Sequence, residues 1–256
     1  MWASFPRRLP KPVRVVHTED YLGEKDANDI LCKYGRDALR QAVERADILP
    51  VSHVKELADV EPVDLSQLSK ISTGIAGLDR VIGGLYYGQV ILITGKRGEG
   101  KSTVASQIVA EALNQNLRVL AYSGELPDYH FRRWLDMQLA GPQNVETSYN
   151  QFSDPVYRLS DSVTERLGEW YRGRAYLYDN NAVDDETDSL LETVEQAVCR
   201  YGINLVCIDN LMTAIDAAST ETQYLQQSRF VRQLKQLAVR HSIAVLLVAH
   251  PRKTQG

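Results

Sequence analysis

The sequence predicts an α/β fold: a mainly parallel sheet with helices on both faces, preceded by a small N-terminal segment. Three observations carry this expectation. Five short apolar runs, VILIT (90–94), VLAYS (119–123), AYLY (175–178), LVCID (205–209) and AVLLVA (244–249), each suit a parallel strand buried on both sides. Stripes at helical spacing separate them: Val104, Ala105, Ile108, Val109 and Ala112; Leu190, Leu191, Val194, Ala197, Val198 and Tyr201; Tyr224, Ser228, Val231, Leu234, Ala238 and His241. The alternation of the two patterns is itself the mark of a parallel sheet covered by its crossover helices.

Ahead of this core, VRVV (13–16) is a short apolar run. The stretch DANDILCKYGRDALRQAVERA then places Ile30, Leu31, Tyr34, Ala38, Leu39, Ala42, Val43 and Ala46 at helical spacing, with an interruption at Gly35. Residues 47–70 are polar and punctuated by proline, the composition of a linker, and VDLSQLSK within them suits a short helix.

Composition sets the outer limits. The chain has 256 residues, 44% hydrophobic and 24% charged, enough for one large domain or a domain with an appendage. A net charge of −4 advertises no global attraction to nucleic acid, although a local basic channel remains compatible with it. Three scattered cysteines without a C-x-x-C pair favour a reducing compartment and argue against structural zinc. No apolar run approaches the ~18 residues of a membrane span, and MWASFPRRLPKP lacks the apolar core of a secretory signal. A cytoplasmic protein with no membrane partner is expected.

The strongest motif is GKRGEGKS, which fits G-x-x-x-x-G-K-[ST] between a strand and a helix. Gly95, Lys96, Arg97, Gly98, Glu99, Gly100, Lys101, Ser102 and Thr103 are the candidate cofactor-binding residues for ATP or another nucleoside triphosphate. Glycines let the backbone amides curl round a phosphate, and the helix that follows adds its own unsatisfied N–H groups. Lys101 would neutralise charge on the β- and γ-phosphates, and Ser102 would ligate Mg²⁺.

LVCIDN puts Asp209 at the carboxyl end of a buried strand, where it suits the shell of the same Mg²⁺; the alternative is an acid capping the next helix. Asn210 beside it reads equally as a site residue or a turn residue. Glu125, in VLAYSGELP, also ends a strand, either as a base for the attacking water or as a helix-start acid facing the dipole. His250 closes the last strand, as a γ-phosphate sensor or a surface residue. Arg252 and Lys253 behind it read as solvated surface, with phosphate contact as the alternative, and the pair Arg132–Arg133 as exposed helix surface, with a role near the site as the alternative. No G-x-G-x-x-G follows a strand, and no Ser-His-Asp set competes with the phosphate motif.

Taken together, STGIAGLDRVIGGLYYGQVILITGKRGEGKST, SGELP, LVCIDN and VAHPRK resemble the RecA-like P-loop ATPase core of hexameric replicative helicases, closest to the Twinkle and phage primase–helicase branch of the DnaB-like family. The resemblance covers roughly residues 70–256, and GEKDANDILCKYGRDALRQAVERA is similar to the closing part of a toprim domain, whose metal-binding acids have no match here. It implies a remnant of a toprim-like domain at 1–47, a linker at 48–70 that packs on a neighbouring subunit, and an ATPase core at 71–256. It also implies catalytic roles for Glu125, Lys101 and His250, metal ligation by Ser102 and Asp209, single-stranded DNA as partner of the intact protein, and a hexameric ring. The family's DNA-binding loop residues and trans arginine finger are expected beyond Gly256. STGIAGLD fits ATP-binding assembly proteins of the RecA, RadA or KaiC type almost as well.

Overall fold

The structure, a computed structural model, describes residues 13–49, 51–181, 189–215 and 220–250. Arg252 and Lys253 lie outside them. The chain divides into two compact units, 1–63 and 64–256.

In the first unit, β1 (Arg14–Val15) and β2 (Asp47–Ile48) pair antiparallel, and α1 (Ala27–Glu44) runs between them in sequence. Asp26 starts this helix by accepting the amides of Asn28 and Asp29 at 2.9 and 3.0 Å, satisfying donors that a helix start leaves free. Gly35, at φ 83° and ψ −178°, breaks the helix where the sequence pattern is interrupted. Ile30, Ala42 and Ala46 are buried.

The second unit opens with β3 (Lys70–Ile71), α2 (Ala76–Ile82) and β4 (Leu85–Tyr86), in which β3 and β4 pair antiparallel. Asp79 ties this entry together, accepting the Ser72 hydroxyl at 2.7 Å, the Thr73 amide at 2.9 Å and the Thr73 hydroxyl at 2.8 Å.

The core follows as β5 (Val90–Thr94), α3 (Lys101–Asn114), β6 (Val119–Ser123), α4 (Asp128–Ala140), the hairpin β7 (Glu146–Tyr149) and β8 (Pro155–Arg158), α5 (Asp161–Tyr171), β9 (Ala175–Leu177), α6 (Leu190–Tyr201), β10 (Leu205–Asp209), α7 (Thr220–His241) and β11 (Ala244–Ala249). Five strands form one parallel sheet in the order β5-β11-β10-β6-β9. The α/β architecture expected from the sequence is the one observed, and the apolar runs coincide with the strands except that β9 ends one residue before Tyr178.

Alternation along the strands explains why the runs are apolar throughout. On β10, Leu205 and Cys207 pack with Ala105, Ile108, Val109 and Leu113 of α3 and Leu135 of α4. Val206 and Ile208 face the other way, onto Val194 and Val198 of α6 and Phe230, Leu234, Leu237 and Ala238 of α7. A strand covered on both sides has no solvent face on which polar residues could sit. Each fully buried side chain of this size contributes roughly 1.5–3 kcal/mol.

Register then sets the site. Asp209 stands opposite Ser123 of β6 and Val248 of β11, and Ala249 stands opposite Thr94 of β5. Four neighbouring strands therefore release their chains at one level, at the carboxyl edge of the sheet. That edge is where open α/β sheets bind ligands.

Candidate active site

Residues Gly95 to Gly100 form the turn from β5 into α3, and Lys101, Ser102 and Thr103 are the first residues of that helix. Gly98 and Gly100 take φ values of 82° and 79°, a left-handed conformation that side chains disfavour. This is the physical reason for glycine at Gly100, a fixed position of the motif, and at Gly98, one of its variable positions. Lys101 is buried, 6% exposed, and its Nζ donates to the Lys96 carbonyl at 2.6 Å. The Lys96 amide donates to Oε2 of Glu99 at 2.7 Å.

Across the edge, Asp209 ends β10, where the neighbouring Ser102 hydroxyl favours its ionised form. Burial pushes the Asp209 carboxyl above its ordinary range, and the negative charge of Glu125 adds to that, against the opposing pull of Ser102, His250 and Lys101. Four of the residues singled out in the sequence thus act on Asp209.

Glu125 follows β6. Its Oε1 accepts the side-chain amide of Asn210 at 2.6 Å, and Nε2 of His250 lies 3.4 Å from the same oxygen. Asn210 is almost wholly buried, 1% exposed, and its Oδ1 accepts the amides of Met212 and Thr213 at 2.9 and 3.2 Å. Both ends of one amide side chain are thereby used: one fixes the turn after β10, the other holds Glu125. Sequence reading left Asn210 undecided between a turn and a site residue; the geometry gives it both contacts.

Glycine is required at 124 for a different reason from the turn above. A Cβ there would stand 1.8 Å from Oγ1 of Thr213, and the Gly124 amide donates to the Asp209 carbonyl at 2.8 Å. The turns after β6 and β10 can touch only because position 124 has no side chain. Ser123 and Thr213 are two further residues that sequence reasoning missed. Oγ of Ser123 accepts the Leu126 amide at 3.2 Å, and the Thr213 carbonyl accepts the Tyr122 hydroxyl at 2.8 Å. Both contacts join segments distant or irregular in sequence, so no local signal announces them.

Arg132 and Arg133 lie on α4 and are engaged elsewhere. Arg132 pairs with Asp136 at 3.5 Å, and Arg133 donates to the Tyr157 carbonyl of the hairpin at 2.5 Å.

Among the described residues no group of three or more His, Cys, Asp or Glu side chains is arranged to hold a metal ion. The pair that does meet, the Ser102 hydroxyl and the Asp209 carboxylate, offers hard oxygen donors next to a phosphate-type turn. That suits Mg²⁺, which binds through one or two protein oxygens and keeps water and substrate phosphate as its other ligands.

Comparison with known proteins places this arrangement. Residues 58–256 match the AAA domain family AAA_25. The chain belongs to this family. Among curated relatives, DNA repair protein RadA of Rickettsia typhi is 42% identical over 72 residues, which is 28% of this chain and 16% of that protein. Replicative DNA helicase DnaB of Leifsonia xyli subsp. xyli is 25% identical over 235 residues, 80% of this chain and 48% of that protein. RadA of Halalkalibacterium halodurans is 27% identical over 197 residues, 76% of this chain and 35% of its own length. The chain thus spans less than half of each of these relatives. Among solved structures, a KaiC-like protein of the hyperthermophilic archaeon Pyrococcus horikoshii OT3 superposes with a TM-score of 0.51 at 18% identity, covering 74% of this chain and 75% of that one. The fold is that of a RecA-like ATPase domain. No helix among the described residues is long and apolar enough to cross a membrane.

Proposed function

We propose that this chain is the ATP-hydrolysing motor domain of a replicative DNA helicase of the primase–helicase type, working as a hexameric ring on single-stranded DNA. The observation that carries the nucleotide part is the meeting, at one sheet edge, of the Gly95–Ser102 turn with Asp209 and with Glu125 held by Asn210. The breadth of the match to DnaB, across 80% of the chain, supports the helicase part. Residues 1–47 are then a toprim-like segment, 48–70 the linker that packs on a neighbour, and 71–256 the core, in a cytoplasmic protein.

In this reading the turn amides and Lys101 bind and orient the triphosphate, with the remaining residues of Gly95–Thr103 shaping the cradle. Ser102 and Asp209 would hold Mg²⁺, which supplies neutralisation of charge on the β- and γ-phosphate oxygens. Glu125 orients a water and takes its proton as the oxygen attacks the γ-phosphorus, and the bond to the β-phosphate oxygen breaks. His250, beside Glu125, senses whether the γ-phosphate is present. A trans arginine, if supplied by a neighbour, is worth about 10³–10⁵ in rate in other phosphate-loop enzymes, so the isolated chain should turn over slowly.

A second reading is favoured by the RadA similarities and the KaiC-like fold: an ATP-binding recombinase or oligomeric switch without unwinding. ATP turnover with and without single-stranded DNA, with a mass determination, tests the shared core. Strand displacement by the full-length protein separates the two readings: ATP-dependent unwinding supports the first, and strand exchange without unwinding supports the second.

A further inference from the structure

We propose that Glu99 is a built-in competitor of the triphosphate, a carboxylate that must leave the phosphate turn before nucleotide can bind and so sets the affinity of the site. The proposal rests on the nucleotide reading given above.

The turn is engaged with itself on both sides of one residue. The Lys96 amide donates to Oε2 of Glu99 at 2.7 Å, while the Lys96 carbonyl accepts Nζ of Lys101 at 2.6 Å. A Cβ built on Gly95 would stand 2.7 Å from the same Glu99 oxygen, so the carboxylate lies directly against the backbone of the first motif residue. In a glycine-rich turn of this type the backbone amides are the donors that an anion takes. Here one of them is taken by an anion that belongs to the protein.

The two anions cannot share that position. A triphosphate brings several negative charges to the amides that already hold a carboxylate, and like charges at contact repel. Glu99 is exposed to solvent, so its side chain can swing into water without disturbing the core. Lys101, by contrast, is buried and has only to transfer its donor from the Lys96 carbonyl to a phosphate oxygen. The exchange therefore costs the site one charge-assisted hydrogen bond and frees one cation.

A different role for the same contact would be to staple the turn in its binding shape, in which case losing the carboxylate would weaken nucleotide binding. The sign of the effect separates the two. Calorimetric titration of the wild type, Glu99→Gln and Glu99→Ala with ATP and with inorganic tripolyphosphate is the experiment, run at about 50 and about 500 mM salt. Both variants should bind both probes about five- to tenfold more tightly than the wild type. The gain should shrink at the higher salt, since screening weakens an exposed carboxylate's claim on the amide. Unchanged or weaker binding in both variants, with normal binding by the wild type, overturns the proposal. A wild type that binds neither probe better than Lys101→Ala removes the nucleotide reading itself, and this proposal falls with it.

Discussion

The side-chain amide of Asn210 donates to Oε1 of Glu125 at 2.6 Å, joining two residues 85 positions apart that both stand just beyond neighbouring strands of the parallel sheet. Asn210 is itself pinned by the amides of Met212 and Thr213. Glu125 is thus oriented by a group that cannot rotate without breaking the turn after β10. Asn210→Ala should lower turnover by about ten- to a hundredfold, part of the 10²–10⁴ that a positioned base supplies, with ATP affinity within about twofold. A purely structural role would predict a further loss in a Glu125→Gln background. Orientation of the base predicts almost none, because the group being oriented is already gone.

Lys101 begins α3 and Glu125 follows β6, and the two should fail differently when changed. Lys101→Ala removes the cation that meets the phosphates and should abolish ATP binding in an equilibrium titration. Glu125→Gln keeps shape and hydrogen-bonding capacity but cannot accept a proton. It should bind ATP normally and lose about 10²–10⁴ in turnover. Undiminished hydrolysis would return Glu125 to the role of a helix-start acid.

Gly124→Ala tests the close approach of two turns. Its new methyl would have to displace Thr213, whose Oγ1 would otherwise stand 1.8 Å away. Thr213 caps the same turn that positions Asn210, so both stability and turnover should drop. A loss of about 1–3 kcal/mol in denaturant unfolding is the expected scale for overpacking. The methyl would also stand 2.2 Å from Cβ of Thr213, so restored stability and turnover in Gly124→Ala combined with Thr213→Gly, which removes both close atoms, would show that the clash is the cause.

How much of this was readable in the sequence depends on what each residue contacts. The strands were legible because burial on both faces leaves an unbroken apolar run, as LVCID and AVLLVA show. The phosphate turn was legible because Gly95 and Gly100 stand at fixed spacing before Lys101 and Ser102, and the left-handed backbone at Gly100 favours glycine there. The hairpin β7–β8 was not: its strands are exposed and short, so neither face records a hydrophobic alternation. On α7 the sequence stripe included Leu234 and Ala238 but passed over Phe230 and Leu237, which the structure buries. Asn210 stays undecided between a site and a turn residue in the sequence because its partner is 85 residues away, and a buried amide there looks like any turn former.

The last prediction concerns pH and lies away from the site. Asp136 on α4 is 2% exposed, and its Oδ1 has no hydrogen-bond partner among the described residues. Burial lifts its carboxyl above the ordinary value of 3.8, and the hydrogen bond with Tyr171 and the charge of Arg132 only partly offset this. For an acid whose folded pKa exceeds its unfolded one, the unfolded chain releases the proton first as pH rises. Stability is therefore lost as pH climbs from the unfolded value through the raised folded one, and the ionised carboxylate remains a cost at neutrality. Asp136→Asn keeps the size and a hydrogen-bonding group for Tyr171 but has no charge to bury. Its thermal midpoint should exceed that of the wild type at about pH 7, and the difference should narrow as pH falls and close only below the ordinary value of 3.8, where the carboxyl is protonated in both the folded and the unfolded chain. An asparagine variant less stable than the wild type at neutral pH would mean that the pairing with Arg132 outweighs burial at this position.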